Sequence, residues 1–486
     1  MEGFGASESR YCPGDRRRLN LPASPRVRVN VRRALRPGSS LVVGLMLSAA
    51  IVTSCGSAVA PTPSAPSSSP GSVSPSAAPA SALVSASPDA GAARITGWQS
   101  DLDGLLPAME KLHPDLYHGT SKAMMAAAVQ TLRDSVPTAS DDVLLVGLIR
   151  IVSMVSAKGG DGHTGAYIWG DGEPPYHSLP LRLWLFPEGV YVVGADPAHR
   201  DLVGSRIVSI DAHPIADVLA ALDPLIPRDT AQTVKLLTPR FLLIPEALDG
   251  LGLRAATSTV AVEVADAAGK ARTVPLEPER MADYNLANGA YGLHLPPDFE
   301  PLYLSNTETP LWSSRIDGGH TLYVGYNRVD GVTAAALTGV KDALADASIT
   351  KVVVDIRQNY GGQSNGYLPL LDLLKQPSPV AKRQIYVVTG RNTFSAGSLF
   401  AVEMDAETKA IFVGEPMGGA RTFYANPSTV HLAWSGIELS VATGFYDVGP
   451  AGDTRTTIDP EIPAVLHAAD YFGHRDPAME AISALP

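Results

Sequence analysis

Cysteine is almost missing from this chain. Only Cys12 and Cys55 occur, both ahead of the part that can fold, so no disulfide framework staples it. A membrane-spanning run is missing as well. The apolar run at residues 41–52 (LVVGLMLSAAIV) has twelve residues, against about 20 for a bilayer. Basic charge is scarce beyond residue 54. Residues 1–54 hold nine arginines against three acids, leaving 29 basic against 46 acidic residues in the rest. That balance argues against nucleic acid, which needs a basic face to displace counterions. No H-E-x-x-H is present, and His113 and His118 stand five apart rather than four, so no metal site is expected. No phosphate-binding G-x-x-x-x-G-K-[ST] loop exists, and no cofactor is expected. Ser348 and Lys351 spell S-x-x-K but lack the SDN and KTG partners of a penicillin-binding site.

What is present is a chain of 486 residues, 45% hydrophobic, enough to bury a core. Arg26, Arg28, Arg32, Arg33 and Arg36 precede the apolar run, which ends in Val52-Thr53-Ser54-Cys55-Gly56. This resembles a lipoprotein signal peptide with its lipobox, and implies lipidation at Cys55 and an exported, lipid-anchored protein at the cell surface or in the periplasm. The preface of residues 1–25 is long for an n-region, which suggests translation from Val27, Val29 or Val31. Residues 57–93 are dominated by Ser, Pro and Ala and read as a tether.

The expected divisions are 1–54 (n-region and signal), 55–94 (lipidated cysteine and linker), 95–178, 179–280 and 281–486. In the third, Trp98, Leu102, Leu105, Leu106, Met109 and Leu112 recur at helical spacing, with further helices expected near 121–135 and 141–155. The fourth is β-rich: LPLRLWLF, GVYVVGAD and a hairpin about Gly269. Its stretch from Leu202 to Leu222, a glycine turn, a strand, a turn and a short helix, resembles part of a PDZ-like module. In the fifth, strands and helices alternate. KVVVDI, QIYVVTG and AIFVGE are continuous apolar runs, as strands buried on both faces should be, implying an α/β core.

Three segments there are suited to chemistry, and each has a plainer reading. GGDGHT at residues 159–164 is a tight loop that can aim His163 into a cleft, or merely expose it. DIRQNYGG at 355–362 leaves the end of a buried strand, where open α/β sheets place ligands. Gly361 and Gly362 permit close backbone approach and can offer N–H groups to an oxyanion, or simply form a turn. TFSAGS at 393–398 puts Ser395 where a strand gives way to a helix, as nucleophile or as N-cap, with the Ala396 N–H beside it.

The order of these segments, a helical cap ending in GDGHT, a PDZ-like insert, DIRxNxGG, strand–Ser-Ala–helix, VGEP and a C-terminal acidic-Pro segment, resembles the S41 (tail-specific) peptidases over residues 98–480. HPDLY at 113–117 and Asp459-Pro460-Glu461-Ile462 add to the likeness. The resemblance implies a crotonase-like α/β core with a helical cap and PDZ-like insert, and a serine endopeptidase acting on peptide or protein substrates. The family's Ser–Lys branch has a lysine after VGEP. Here Ala420 and Arg421 follow Gly419, and arginine cannot serve as a base, which points to the histidine branch. There the resemblance implies Ser395 as nucleophile, His163 as base and Asp453 as orienting acid, with Glu415, Asp459 and Glu461 as weaker choices. Gly361, Gly362 and Ala396 would form the oxyanion hole. The competing expectation is a non-catalytic binding or scaffold lipoprotein on the same fold, suggested by the absent lysine and by Ser398 where the family has glutamate. An esterase using the same residues is a third.

Overall fold

The computed structural model describes residues 88–168, 175–254, 258–283, 301–377 and 383–485. The signal-like segment, Cys55 and the tether up to residue 87 lie outside the described residues, whereas residues 88–93, expected as the end of the tether, belong to the first helix, Pro88–Glu110.

Three helices open the fold: α1 (Pro88–Glu110), α2 (Lys122–Ser135) and α3 (Asp141–Ser153). Ser121 and Ser140 cap α2 and α3 by accepting the N–H groups of Met124 and Val143, which is why these helices start one residue beyond a serine. A two-residue strand β1 (Gly165–Ala166) follows, then β2 (His177–Ser178). The β-rich part comprises β3 (Leu181–Phe186), β4 (Gly189–Ala195), β5 (Arg206–Ile210), β6 (His213–Pro214), β7 (Val260–Ala265) and β8 (Ala271–Leu276). They form one antiparallel sheet in the order β3-β4-β5-β7-β8, with β6 also on β5. Between β6 and β7 run α4 (Ile215–Leu222), α5 (Ala231–Phe241) and α6 (Pro245–Gly250). A short β9 (Glu279–Arg280) pairs with β2.

The larger half is layered. Strands β10 (Leu311–Ile316), β11 (Thr321–Tyr326), β12 (Lys351–Asp355), β13 (Gln384–Thr389), β14 (Ile411–Gly414) and, later in the chain, Ile462–Pro463 lie side by side. All neighbours are parallel except β10 on β11. Alternate side chains go to opposite faces. Val352, Val354 and Val387 join one core with Leu370, Phe400 and Met404 of the covering helices α7 (Ala334–Ala345), α8 (Leu368–Leu374) and α9 (Ala396–Glu407). Val353, Tyr386, Val388 and Val413 join another, with Ala478 and Ile482 of the C-terminal helix Pro477–Ser483. This two-sided burial explains the unbroken valine runs.

A long two-stranded ribbon completes the fold: β15 (Thr422–His431) and β16 (Glu438–Asp447), antiparallel and joined by the turn at Gly436, whose φ is +70°. β15 starts seven residues before TVHLAW (residues 429–434), the segment that reads as a strand from the sequence. β1 adds to the ribbon's edge, pairing Gly165 with Ser440 and Ala166 with Leu439. One hydrophobic core runs from Trp98 and Leu148 through Val192 and Val262 to Leu439 and Val441. The helical part, the antiparallel sheet and the ribbon's root therefore share an interior, and no core boundary falls at residue 178.

Candidate active site

Ser395 stands between β13 and α9 with φ +52° and ψ −126°. For a residue with a Cβ this is a strained conformation, which costs about 1–3 kcal/mol and persists only where the surroundings dictate it. They do so here. Thr393 Oγ1 donates to Ile356 O at 2.8 Å, and Phe394 N–H donates to Asn359 O at 3.0 Å. Asn359 is fully buried, with Nδ2 donating to Tyr326 O at 3.0 Å and Oδ1 accepting from Gly361 N–H at 3.0 Å. The serine loop and the DIRQNYGG loop thus form one hydrogen-bonded unit above the parallel strands.

His163 arrives from the other half of the molecule. Its Nε2 lies 3.0 Å from Ser395 Oγ, 232 positions away in the chain. Two ribbon contacts hold it: Ser440 Oγ donates to His163 O at 2.7 Å, and Ala442 N–H donates to Thr164 Oγ1 at 3.1 Å. Tyr424 N–H donates to Gly160 O at 2.8 Å. The imidazole stacks between Phe394 and Phe423, with centroids at 4.6 and 5.8 Å. Burial pushes its pKa down to about 4, opposed by the charge of Asp161 and by the Tyr424 backbone. At neutral pH the ring is uncharged and able to accept the serine proton.

Asp453 does not orient this imidazole. Its carboxylate binds Arg455 at 3.0 Å through the backbone and 2.7 Å through the guanidinium, and pairs with Arg421 at 2.9 Å. Arg455 beside it holds this carboxyl well below the usual range. The carboxylate is engaged instead by Arg455 and by the buried Arg421. Glu415 is committed to Arg391 and Glu461 accepts from Phe412 N–H at 2.7 Å. Among the described residues no carboxylate accepts from His163 Nδ1.

The oxyanion donors also need revision. Gly361 N–H is taken by Asn359, which leaves Gly362 and Ala396 of the expected three. Gly361 contributes through its missing side chain. With φ +109°, a Cβ there would stand 2.7 Å from Ser395 Cβ and 2.9 Å from Ala396 N, filling the space in front of that N–H. A Cβ on Gly362 (φ +139°) would meet the Asp330 carboxylate at 2.7 Å.

Sequence reading missed several residues that shape the site. Asp161, in the GDGHT loop, accepts from His163 N–H at 3.2 Å and Thr164 N–H at 2.9 Å. Asp229 accepts from Gly162 N–H and, at 3.3 Å, from Ala420 N–H, tying the histidine loop to the segment after VGEP. Burial pushes its carboxyl up to about 7. Asp229 lies in no motif, so only its position in space identifies it. Ser398 is fully buried and donates to Thr393 O at 3.1 Å.

Neither a scan of protein-family patterns nor a search of curated proteins returns a match for this chain. Solved structures do resemble it. Mature CPAF complexed with lactacystin is 14% identical, covering 80% of this chain and 97% of that one, with a TM-score of 0.54. Mature CPAF alone gives 14% identity, 80% and 96% coverage and 0.52. A serine-to-alanine variant of CPAF gives 12% identity, 78% and 95% coverage and 0.54. At such identities the likeness is one of fold.

Proposed function

We propose that this chain, whose fold is that of the S41 peptidases, is a serine endopeptidase that acylates Ser395 with His163 as general base. The observation that carries the reading is the 3.0 Å contact between His163 Nε2 and Ser395 Oγ at a strained strand-to-helix turn. Ser395 Oγ attacks a peptide carbonyl while its proton passes to Nε2, and the imidazolium then protonates the leaving amine. Water repeats the sequence to release the acid. Ala396 N–H, at the first position of α9, and Gly362 N–H stabilise the oxyanion, each donor being worth roughly 10²–10³ in rate. In this reading the parallel-sheet half is the crotonase-like core and the antiparallel sheet the PDZ-like insert. The N-terminal segment exports the chain and Cys55 anchors it to a membrane by lipid.

A second reading, a binding protein on the same fold, is favoured by one observation: the Nδ1 of His163 lacks a carboxylate. A fluorophosphonate probe separates the two. The peptidase reading expects covalent labelling of the wild type, abolished in Ser395→Ala and strongly slowed in His163→Ala. An unlabelled, folded wild type favours the binding protein. For the anchor, Cys55→Ser should move the protein from the membrane fraction to the soluble one; unchanged fractionation refutes lipidation there.

A further inference from the structure

At the histidine loop lies a buried histidine–carboxylate pair, His113 and Asp161, which the acyl transfer leaves without a task. His113 Nε2 donates to Asp161 Oδ2 at 2.9 Å, and neither side chain is exposed. The Asp115 N–H lies 3.0 Å from Nδ1 of the same ring. A backbone N–H only donates, so Nδ1 must accept and the ring is held with its proton on Nε2. The other carboxylate oxygen, Oδ1, takes the N–H groups of His163 and Thr164. Every partner of Asp161 is therefore a donor, the surroundings that an acceptor-only carboxylate fits. The same tautomer opposes a cation. His113, His118 and Asp161 gather three donor atoms within 4.8 Å, but a metal would need the Nε2 lone pair where the proton sits.

We propose that Asp161, locked in place by His113, substitutes for the missing triad acid and steadies the His163 imidazolium through space rather than through Nδ1. This deepens the peptidase reading and rests on it. When the Ser395 proton reaches Nε2, a positive ring forms between two phenyl faces with no carboxylate on its other nitrogen. Asp161 supplies the counter-charge: its field favours the charged ring, whereas burial opposes it. Asp229 is the other carboxylate near the loop, and burial pushes it up to about 7, so its charge is partial at neutral pH. His118, Asp115, Lys158 and the Tyr424 phenol, which lies against both histidine rings, are further charged or titratable groups around the pair. His113 touches neither substrate nor reacting atoms and is a positioning residue. It fixes the carboxylate that caps the histidine loop, which gives HPDLY a physical purpose.

The test compares fluorophosphonate labelling at pH 7 with the melting temperature. His113→Gln keeps an N–H donor near the Nε2 position, and labelling should stay within about threefold of wild type. Pairing Asp161→Asn with His113→Gln keeps a complementary amide–amide hydrogen bond and the loop-capping carbonyl but removes the charge. Its maximal labelling rate should fall roughly tenfold or more, the effect of one pKa unit. The half-saturating probe concentration and the melting temperature should stay unchanged, and the acid limb should move to lower pH, which a purely architectural role would not produce. His113→Phe keeps a ring on Tyr424 (centroids 4.8 Å apart in the native pair) yet donates nothing, and should label slowly. A wild-type rate in the folded paired variant overturns the proposal. So do equal rates in His113→Gln and His113→Phe, should the paired variant not fold. An unlabelled wild type defeats the peptidase reading itself, and this assignment with it.

Discussion

Gly361 and His163 show how single residues set the chemistry. A methyl group at 361 would enter the space before the Ala396 N–H and press on Ser395 Cβ. Gly361→Ala is therefore expected to reduce kcat by a factor of about 10² or more, the order of one lost oxyanion donor. Its substrate KM should barely change, and steady-state kinetics on a peptide substrate would check this. His163 predicts the pH behaviour. Its pKa is lowered to about 4 from 6.5. The ring stays neutral through mildly acidic solution, so under the proposed mechanism the acid limb of kcat/KM should lie near pH 4 rather than 6.5. A limb at 6.5 would mean that the ring is hydrated in the working enzyme.

At the scale of elements, the decisive feature is the addition of β1 to β16. Two residue pairs in register carry His163 from the helical half to Ser395 of the layered half. The anchoring contacts lie in the loop just before β1: His163 O with Ser440, and Thr164 Oγ1 with the buried Ala442 N–H. Thr164→Val keeps shape but leaves that N–H unpaired, at about 1–3 kcal/mol. Chemical denaturation should show that loss, and activity should fall by more than stability explains, because the histidine loop loses its seat. The helices themselves were legible: α2 and α3 begin within one residue of the expected 121 and 141, and α9 begins directly after Ser395. The first half of β15, TFYAN, was not, although its burial alternates, because the packing that marks it is distant in sequence: Phe423 lies against His163 and Tyr446.

Over the whole molecule, the shared core governs stability. Because one interior joins the helical part to the antiparallel sheet and the ribbon, removing residues 88–158 should expose Val192, Val262 and Leu439 together. The remainder is then expected to aggregate rather than fold; a soluble, cooperatively melting fragment would contradict this. Two buried groups give stability opposing pH dependences. For His163, folded near 4 against 6.5 unfolded, the unfolded chain binds more protons in that window, so stability rises with pH between them. For Asp229, folded near 7 against 3.8, the folded chain binds more, so stability falls as pH rises across that range. Each amounts to a few kcal/mol. In wild type they largely offset one another between pH 4 and 6.5. In His163→Gln only the Asp229 contribution remains, and the melting temperature should decline steadily from pH 4 to 7.

The chain alone determined the layered α/β half, since valine runs between helical segments have few other ways to be buried. It also marked Ser395, His163 and the glycine pair as candidates, because each lies in a short motif that neighbouring residues spell locally. What only the tertiary structure decided was pairing. Asp453 is engaged by Arg455 and Arg421, and Gly361 gave up its N–H to Asn359. Asp161, Asp229 and His113 entered the site through hydrogen bonds spanning 48 to 191 positions. Which donor a buried carboxylate meets depends on distance in space, and linear order carries no record of that once the chain has doubled back through a second half.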